Sequence, residues 1–115
     1  MMALDGEWLG ANPLPEPASD TDKNKRGRVL AVGGSRTVPG ALRLTGEAAF
    51  RAGAGKVQLA TPEAACLPLG VAMPEAAVFG LPVNSDGELT GSDLLAEMLE
   101  RCDACVIGPG MGAKA

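Results

Sequence analysis

The run Val29-Leu-Ala-Val32, with Gly33-Gly34-Ser35 directly after it, decides the fold class of this chain. Four consecutive apolar residues that end at glycine are typical of a strand buried on both faces of a parallel sheet. After a short loop, the residues from Gly40 to Ala52 predict a helix, which Gly53 ends with a left-handed cap. We expect the apolar face of this helix, at helical spacing, to comprise Ala41, Leu44, Ala48 and Ala52.

A second strand, predicted from Lys56 to Thr61 and ended by Pro62, completes a βαβ unit with a right-handed crossover. A further cycle follows, and its predicted parts are a strand at Ala76–Phe79, a turn at Asn84–Gly87, a helix at Ser92–Arg101 and a buried strand at Ala104–Ile107. The apolar set of the later helix is Leu94, Leu95, Met98 and Leu99. This alternation predicts an α/β fold, a mostly parallel sheet with helices on both faces.

The chain divides into a lead segment, residues 1–22, and a single α/β domain, residues 23–115. The residues from Leu4 to Leu9 predict a short helical turn, because the prolines that follow cannot continue a helix. We expect Trp8 to pack onto the domain or onto a neighbouring subunit. After Ile107 only a glycine loop and three residues follow, so the sequence predicts an incomplete domain with an open strand edge.

The composition excludes several classes of protein. Apolar residues make up 46% and charged residues 21% of the 115 residues, which is typical of a globular chain. A net charge of −4 and few aromatic residues argue against a nucleic-acid partner. No apolar stretch reaches the roughly 18–20 residues that span a bilayer, and the N-terminus lacks the basic start of a signal peptide. We therefore expect a cytoplasmic protein that binds no membrane.

Three cysteines, Cys66, Cys102 and Cys105, give no disulfide framework because their number is odd. Cys102 and Cys105 form a CxxC motif, which in redox proteins lies at a helix N-terminus. Here the motif falls between a predicted helix end and a strand start, at the wrong end of the helix dipole. A zinc site would need further ligands, and the chain has no histidine. The sequence predicts small buried apolar side chains and no metal site here.

Two glycine-rich loops, Gly33–Ala41 and Gly108–Gly112, each follow a predicted parallel strand. Both should therefore lie at the carboxyl edge of the sheet, where open α/β folds bind ligands. Glycine lets the backbone approach a ligand closely, and N–H groups at helix starts attract phosphate. Neither loop is a GxGxxG or Walker sequence, and tight βα turns are the alternative interpretation. Together the loops predict a site for a nucleotide-like ligand.

The sequences of these loops and of the segments between them resemble those of a known family. Its motifs are Gly27-Arg-Val-Leu-Ala-Val-Gly-Gly-Ser35, Pro39-Gly-Ala41, Glu47-Ala-Ala-Phe-Arg-Ala-Gly-Ala-Gly55, Pro74-Glu75 and Ile107-Gly-Pro-Gly-Met-Gly112. With these motifs the chain resembles the N-terminal part of the ADP/ATP-dependent (S)-NAD(P)H-hydrate dehydratases, which have a ribokinase-like fold. The resemblance extends over most of the predicted domain.

The resemblance implies an enzyme that repairs hydrated NADH and NADPH. Such a lyase removes water from the S epimer of the damaged ring and hydrolyses ADP, or ATP, with Mg²⁺. By the same resemblance, Ala41 and Gly112 would contact the hydrated dinucleotide. Their loop neighbours at this substrate-binding site would be Gly34, Ser35, Gly40, Gly108 and Gly110. The resemblance also implies a homo-oligomer for the full-length enzyme.

Departures from the family pattern limit what this chain can do by itself. Val38 stands where family members often have tyrosine before the Pro-Gly-Ala turn. The family's histidine-containing segment, its adenine-nucleotide loop and the turn that bears its catalytic aspartate have no counterpart here. We assign no catalytic residue, since Glu75, Asp93 and Asp103 look like surface or capping groups, and we expect the chain alone to be inactive. Two alternatives are a fragment of a ribokinase-like small-molecule kinase and a non-catalytic nucleotide-binding or assembly module.

Overall fold

The computed structural model describes residues 2–13 and 26–115. The predicted boundary between lead segment and domain, at residues 22 and 23, lies outside the described residues. In the lead segment, helix α1 (Gly6–Ala11) begins two residues later than predicted, and the Asp5 side chain caps it by accepting the N–H of Trp8 at 3.0 Å. No residue of α1 is buried. No helix of the described chain is long and apolar enough to cross a membrane.

The domain is built on four strands, β1 (Arg28–Val32), β2 (Lys56–Pro62), β3 (Ala77–Leu81) and β4 (Ala104–Ile107). They form a parallel sheet in the order β3-β2-β1-β4, so the first strand is central. The predicted parallel sheet is confirmed, with β3 starting one residue later and ending two residues later than expected.

Three further helices pack against this sheet: α2 (Gly40–Arg51), α3 (Glu63–Ala72) and α4 (Asp93–Arg101). Helices α2 and α3 cover one face, and α4 lies on the other. The first core cluster joins Ala31, Leu42, Val57, Leu59, Ala65, Leu69 and Met73. The second joins Leu30, Val32, Ala60, Leu81, Leu89 and Met98. Alternating residues of β1 thus supply both cores, which confirms helices on both faces of the sheet.

The apolar face predicted for α2 is wrong. Leu44 is 63% exposed, and the buried residues of the helix are Leu42 and Gly46. A Cβ atom at Gly46 would lie 3.0 Å from the Met73 sulfur and 3.1 Å from a Leu59 methyl carbon. The helix therefore turns its smallest residue towards β2, because only glycine lets the two elements approach this closely.

Helix α3 is an element that the sequence interpretation missed. It begins directly after Pro62 and contains Pro68, a residue that removes one helical hydrogen bond and usually argues against a helix. Burial of Ala65 and Leu69 against the sheet supplies the compensating energy, since tertiary packing readily overrides propensity. The outer side of α3 stays apolar, with Leu67 78% exposed.

Strand β4 was expected to be buried, and this too is wrong. Within the described chain it pairs with β1 alone, and all four of its residues are exposed. Its open edge agrees with the edge expected after Ile107. At its start, the Asp103 carboxylate accepts the N–H of Arg28 at 2.8 Å, and the Asp103 N–H donates to the Arg28 carbonyl at 2.9 Å. Asp103 is thus the capping group that the sequence suggested.

Candidate functional site

Both glycine loops leave the sheet at the same edge, as predicted. The Gly33 N–H still donates to the Ala60 carbonyl at 3.0 Å, and the Gly108 N–H donates to the Val32 carbonyl at 3.1 Å. Each loop therefore prolongs the parallel ladder by one hydrogen bond before it turns away. Since β1 and β4 are neighbours, the two loops lie side by side at the carboxyl ends of the strands.

The two loops are also in direct contact. The Gly34 N–H donates to the Pro109 carbonyl at 2.7 Å, and a Cβ atom at Gly33 would overlap that same carbonyl oxygen. A Cβ atom at Gly110 would lie 2.6 Å from the Val38 carbonyl oxygen and 3.1 Å from the Ala41 Cβ. Small residues are therefore required for the loops to pack against each other, before any ligand is considered.

Behind the first loop, two hydroxyl groups are buried. The Ser35 hydroxyl accepts the Val38 N–H at 3.1 Å and thereby bends the loop towards α2. Thr61, at the end of β2, is fully buried, and its Oγ1 has no hydrogen-bond partner within the described chain. A Cβ atom at Gly34, whose φ is +82°, would lie 2.7 Å from this oxygen. Sequence reasoning did not single out Thr61, although a polar residue closing an apolar strand was a signal.

The first loop ends at the N-terminus of α2. Pro39 is the N-cap, and no side chain caps the first turn. The Leu42 N–H donates to the Pro39 carbonyl at 3.3 Å, which leaves the N–H groups of Gly40 and Ala41 without an acceptor within the described chain. Gly40 is exposed, and no atom lies within 4 Å of the position its Cβ would take. A twelve-residue helix places partial positive charge at this end, which favours an anionic group.

The second loop is held by a hairpin that connects β3 to α4. The Glu88 carboxylate accepts the Gly112 N–H at 3.1 Å, and a Cβ atom at Gly112 would overlap that carboxylate. The Asn84 side chain accepts the N–H groups of Asp86 and Glu88 and donates to the Lys114 carbonyl at 2.8 Å. The predicted turn at Asn84–Gly87 is confirmed, and its side chains fix the tail of the loop. Glu88 was also missed by sequence reasoning, which offered no clear signal for it.

The structure thus divides the seven predicted substrate-site residues into three groups. Gly34, Ala41 and Gly110 pack together, and Ser35 supports them from behind. Gly40 and Gly108 are exposed, with open space where a side chain would stand. The Gly112 amide is engaged by Glu88. Gly112 is exposed too, but its amide already has an acceptor, so Gly40 and Gly108 are the members of the set most accessible to a ligand.

A cavity of about 410 Å³ lies beside the first loop, at the carboxyl ends of β1, β2 and β3. Ser35 and Pro39 of the first loop form one side of it. Sequence reasoning did not anticipate this cavity, because the start of α3 and the segment after β3 complete its walls.

Two of the three cysteines belong to the CxxC motif. Cys102 follows the last residue of α4, and Cys105 is exposed in β4, so the expectation of buried side chains is wrong for Cys105. Partial burial raises the pKa of the Cys105 thiol above its ordinary value, and the neighbouring Cys102 thiol raises it further. A raised pKa keeps the thiol protonated at neutral pH and lowers its reactivity. Among the residues that the structure describes, no cluster of His, Cys, Asp or Glu could hold a metal ion.

A four-stranded parallel sheet with helices on both faces and two glycine loops at its carboxyl edge defines an open α/β domain. The sequence profile of one family, described as NAD(P)H-hydrate dehydratase, matches residues 29–115. The chain belongs to this family, as its motifs suggested.

Two relatives with similar sequences are named as enzymes of NAD(P)H-hydrate repair. The chain is 55% identical over 106 residues to an ADP-dependent (S)-NAD(P)H-hydrate dehydratase of Xanthomonas campestris, covering 91% of this chain and 36% of that protein. It is 43% identical over 90 residues to a bifunctional NAD(P)H-hydrate repair enzyme of Escherichia coli, covering 78% of this chain and 16% of that protein.

Solved structures share the fold. A ribokinase-like superfamily protein of Enterococcus faecalis superposes with a TM-score of 0.73 at 33% identity, covering 89% of this chain and 33% of that one. An ADP/ATP-dependent NAD(P)H-hydrate dehydratase of Bacillus subtilis, co-crystallised with ATP/Mg²⁺, superposes with a TM-score of 0.63 at 30% identity, covering 85% and 33% of the two chains. The chain therefore spans about a third of the length of the monofunctional dehydratases and of the solved structures it matches.

Proposed function

We propose that this chain forms the substrate-side portion of an ADP-dependent dehydratase that repairs the S epimer of hydrated NADH and NADPH. The observation that carries the proposal is the contact between the Gly33–Ala41 and Gly108–Gly112 loops beside the uncapped start of α2. The Xanthomonas relative, named for this activity, is 55% identical over 91% of the chain. The names of the matched relatives favour dehydration over the alternative of a small-molecule kinase.

In this proposal the backbone does most of the binding. The dinucleotide carries a pyrophosphate. The N–H groups of Gly40 and Ala41, in the first turn of α2, would stabilise this anion. Gly108 and the exposed part of the second loop would face the rest of the ligand. Gly34, Ser35 and Gly110 would hold the two loops in register, while the Gly112 amide would be shared with Glu88.

Nucleotide and metal chemistry are not assigned to this part of the protein. ADP hydrolysis would supply the driving force in the whole enzyme, with Mg²⁺ bound to the nucleotide. The described residues do not fit a magnesium site, because they contain no group of three suitable ligands. Glu88 is the carboxylate that contacts a glycine loop, and it is engaged by a backbone N–H. We expect the 115-residue chain to bind substrate without turning it over.

Titration of the purified chain with the S and R epimers of NADPH hydrate tests the proposal. We expect calorimetry to detect binding of the S epimer to the wild-type chain. A Gly40→Leu variant should bind this epimer at least about tenfold more weakly, a loss of roughly 1.4 kcal/mol in binding free energy. Gly40 lies in open space, so the new side chain obstructs a ligand without disturbing the fold. Ala48→Leu, at an exposed position of the same helix, is the matched control. Equal affinity of the Gly40→Leu and Ala48→Leu variants, or turnover by the chain alone, would contradict the proposal.

We also propose that the protein works in the cytoplasm as a homo-oligomer. All three cysteines are free, as in proteins of reducing compartments. Leu67 and Val71, on the outer side of α3, are 78% and 75% exposed, and exposed apolar faces of this kind suit a contact between subunits. Light scattering on the wild-type chain and on a Leu67→Lys variant would check this, with a smaller assembly expected for the variant.

A further inference from the structure

The cavity beside the first glycine loop offers a kind of surface that the loops themselves lack. Its volume of about 410 Å³ lies in the range of small-ligand pockets, roughly 300–1,000 Å³. The glycine loops present mainly backbone N–H groups, which suit phosphate. The cavity presents side chains, which suit a ring.

The walls of the cavity are mostly apolar and carry charge at two points. Four proline rings contribute to them, from Pro39 before α2, Pro62 before α3, Pro68 within α3 and Pro82 after β3. Arg36 and Glu63 are the charged side chains of the lining, and both are exposed. Rigid proline rings offer apolar C–H surface on which a planar ring can pack, while one cation and one acceptor can recognise its polar ends.

The cavity is continuous with the proposed phosphate site. Pro39 lines the cavity and is also the N-cap of α2, and Ser35 lines it from the same loop. A phosphate at the Gly40 end of α2 would therefore stand next to the cavity entrance. A nucleoside joined to that phosphate could enter the cavity without leaving the site.

We propose that this cavity is the subsite for the adenosine half of the dinucleotide, an inference that rests on the proposed function. Glu63 would accept the exocyclic amine of adenine, which is a donor, and Arg36 would pair with a phosphate group of the same half. The proline rings would pack on the base. The nicotinamide half then extends along the second glycine loop, away from the cavity.

The chemistry of the two halves favours this orientation. Adenine is planar and aromatic, and it matches a cavity with rigid apolar walls. The hydrated nicotinamide ring is puckered and bears a hydroxyl and a carboxamide, so its burial in this cavity would leave polar groups with few partners. The adenosine half is thus the half that the cavity fits.

The test uses AMP and nicotinamide mononucleotide as separate probes, with amide chemical shifts of the whole 115-residue chain as the readout. We expect AMP to shift the amides of Arg36, Glu63 and Ala64, and nicotinamide mononucleotide to shift those of Gly108–Gly112. Ala64→Met adds an unbranched side chain at an exposed position of the cavity rim and should weaken AMP binding about tenfold. Ala96→Met, at an exposed position of α4, is the matched control.

A second variant separates charge from shape. Arg36→Gln should weaken AMP several-fold and leave adenosine unchanged, because only AMP carries the phosphate. Arg101→Gln, an exposed arginine at the end of α4, is its control. Unchanged AMP affinity in Ala64→Met, or AMP shifts confined to the glycine loops, would overturn the subsite.

Failure of the subsite and failure of the proposed function give different results. If S-NADPH hydrate binds the wild-type chain and Ala64→Met equally well, the subsite is wrong and the function stands. If AMP binds in the cavity but S-NADPH hydrate does not bind, the proposed function is wrong and the cavity is a mononucleotide site. If neither ligand binds, both proposals are wrong.

Discussion

The two glycine loops are alike in sequence but are held in different ways. In the first loop, Gly33, Gly34 and Ser35 are all buried, and the loop ends in a twelve-residue helix. In the second, Gly108 and Gly112 are exposed, and the tail is fixed by side chains of the Asn84–Gly87 turn and Glu88. The start of the first loop is thus part of the core, whereas the tail of the second loop is held by a few polar contacts at the surface.

This difference has a consequence for binding. A loop fixed by core packing keeps its geometry as long as the domain is folded, which lowers the cost of ordering it around a ligand. A loop fixed by surface hydrogen bonds can open locally at a smaller free-energy cost than global unfolding. We therefore expect the first loop to act as the rigid half of the site and the second as the adjustable half.

The largest effect is expected where the rigid half meets the second loop. Gly33→Ala would drive a methyl group into the Pro109 carbonyl oxygen, a backbone atom that cannot move aside cheaply. We expect it to lower the free energy of unfolding by about 2–4 kcal/mol, as for other severe steric conflicts. Gly40→Ala, in open space, should be neutral or stabilising by up to about 1 kcal/mol. Urea denaturation measures both, and equal midpoints would mean that the loops do not pack this way.

An intermediate effect of opposite sign is expected at Thr61, beneath the first loop. Its buried hydroxyl has no partner in the described chain, so Thr61→Val removes an unsatisfied polar group while keeping its shape. We expect a gain of about 1–2 kcal/mol in the free energy of unfolding. In the control Thr45→Val, the lost hydroxyl donates to the Ala41 carbonyl at 3.0 Å, and a small loss is expected. Destabilisation by Thr61→Val would show that the hydroxyl has a partner in solution.

The sequence predicted the first loop better than the second for a physical reason. Strand β1 and the glycines after it follow from local patterns, an apolar run and a backbone requirement, and both appear in the structure. The parallel direction of the strands also followed, because alternation of strands and helices predicts a parallel sheet. The local sequence pattern was therefore sufficient to predict the rigid half of the site.

Long-range contacts decided what the sequence could not reveal. Helix α3 forms because the sheet buries Ala65 and Leu69, and no local signal outweighed Pro68. The prediction of the buried face of α2 was wrong, because Gly46 and not the predicted alanines packs against Met73. Glu88 and Gly112 are 24 residues apart, so their hydrogen bond follows only from the folded chain. The cavity likewise joins residues from three separate segments, which are the first glycine loop, the start of α3 and the segment after β3.

The smallest expected effect lies at the adjustable half. Glu88→Ala removes the acceptor of the Gly112 N–H, and we expect it to cost about 1 kcal/mol or less in global stability, because the bond is exposed. The clearer readout is amide hydrogen exchange at Gly112, which should become roughly five- to tenfold faster as the loop opens. Glu88→Gln keeps an oxygen acceptor and should restore most of the protection, which separates hydrogen bonding from charge. Unchanged exchange in Glu88→Ala would mean that the second loop is fixed by its packing on Gly34 and Ala41, and the two halves of the site would then be equally rigid.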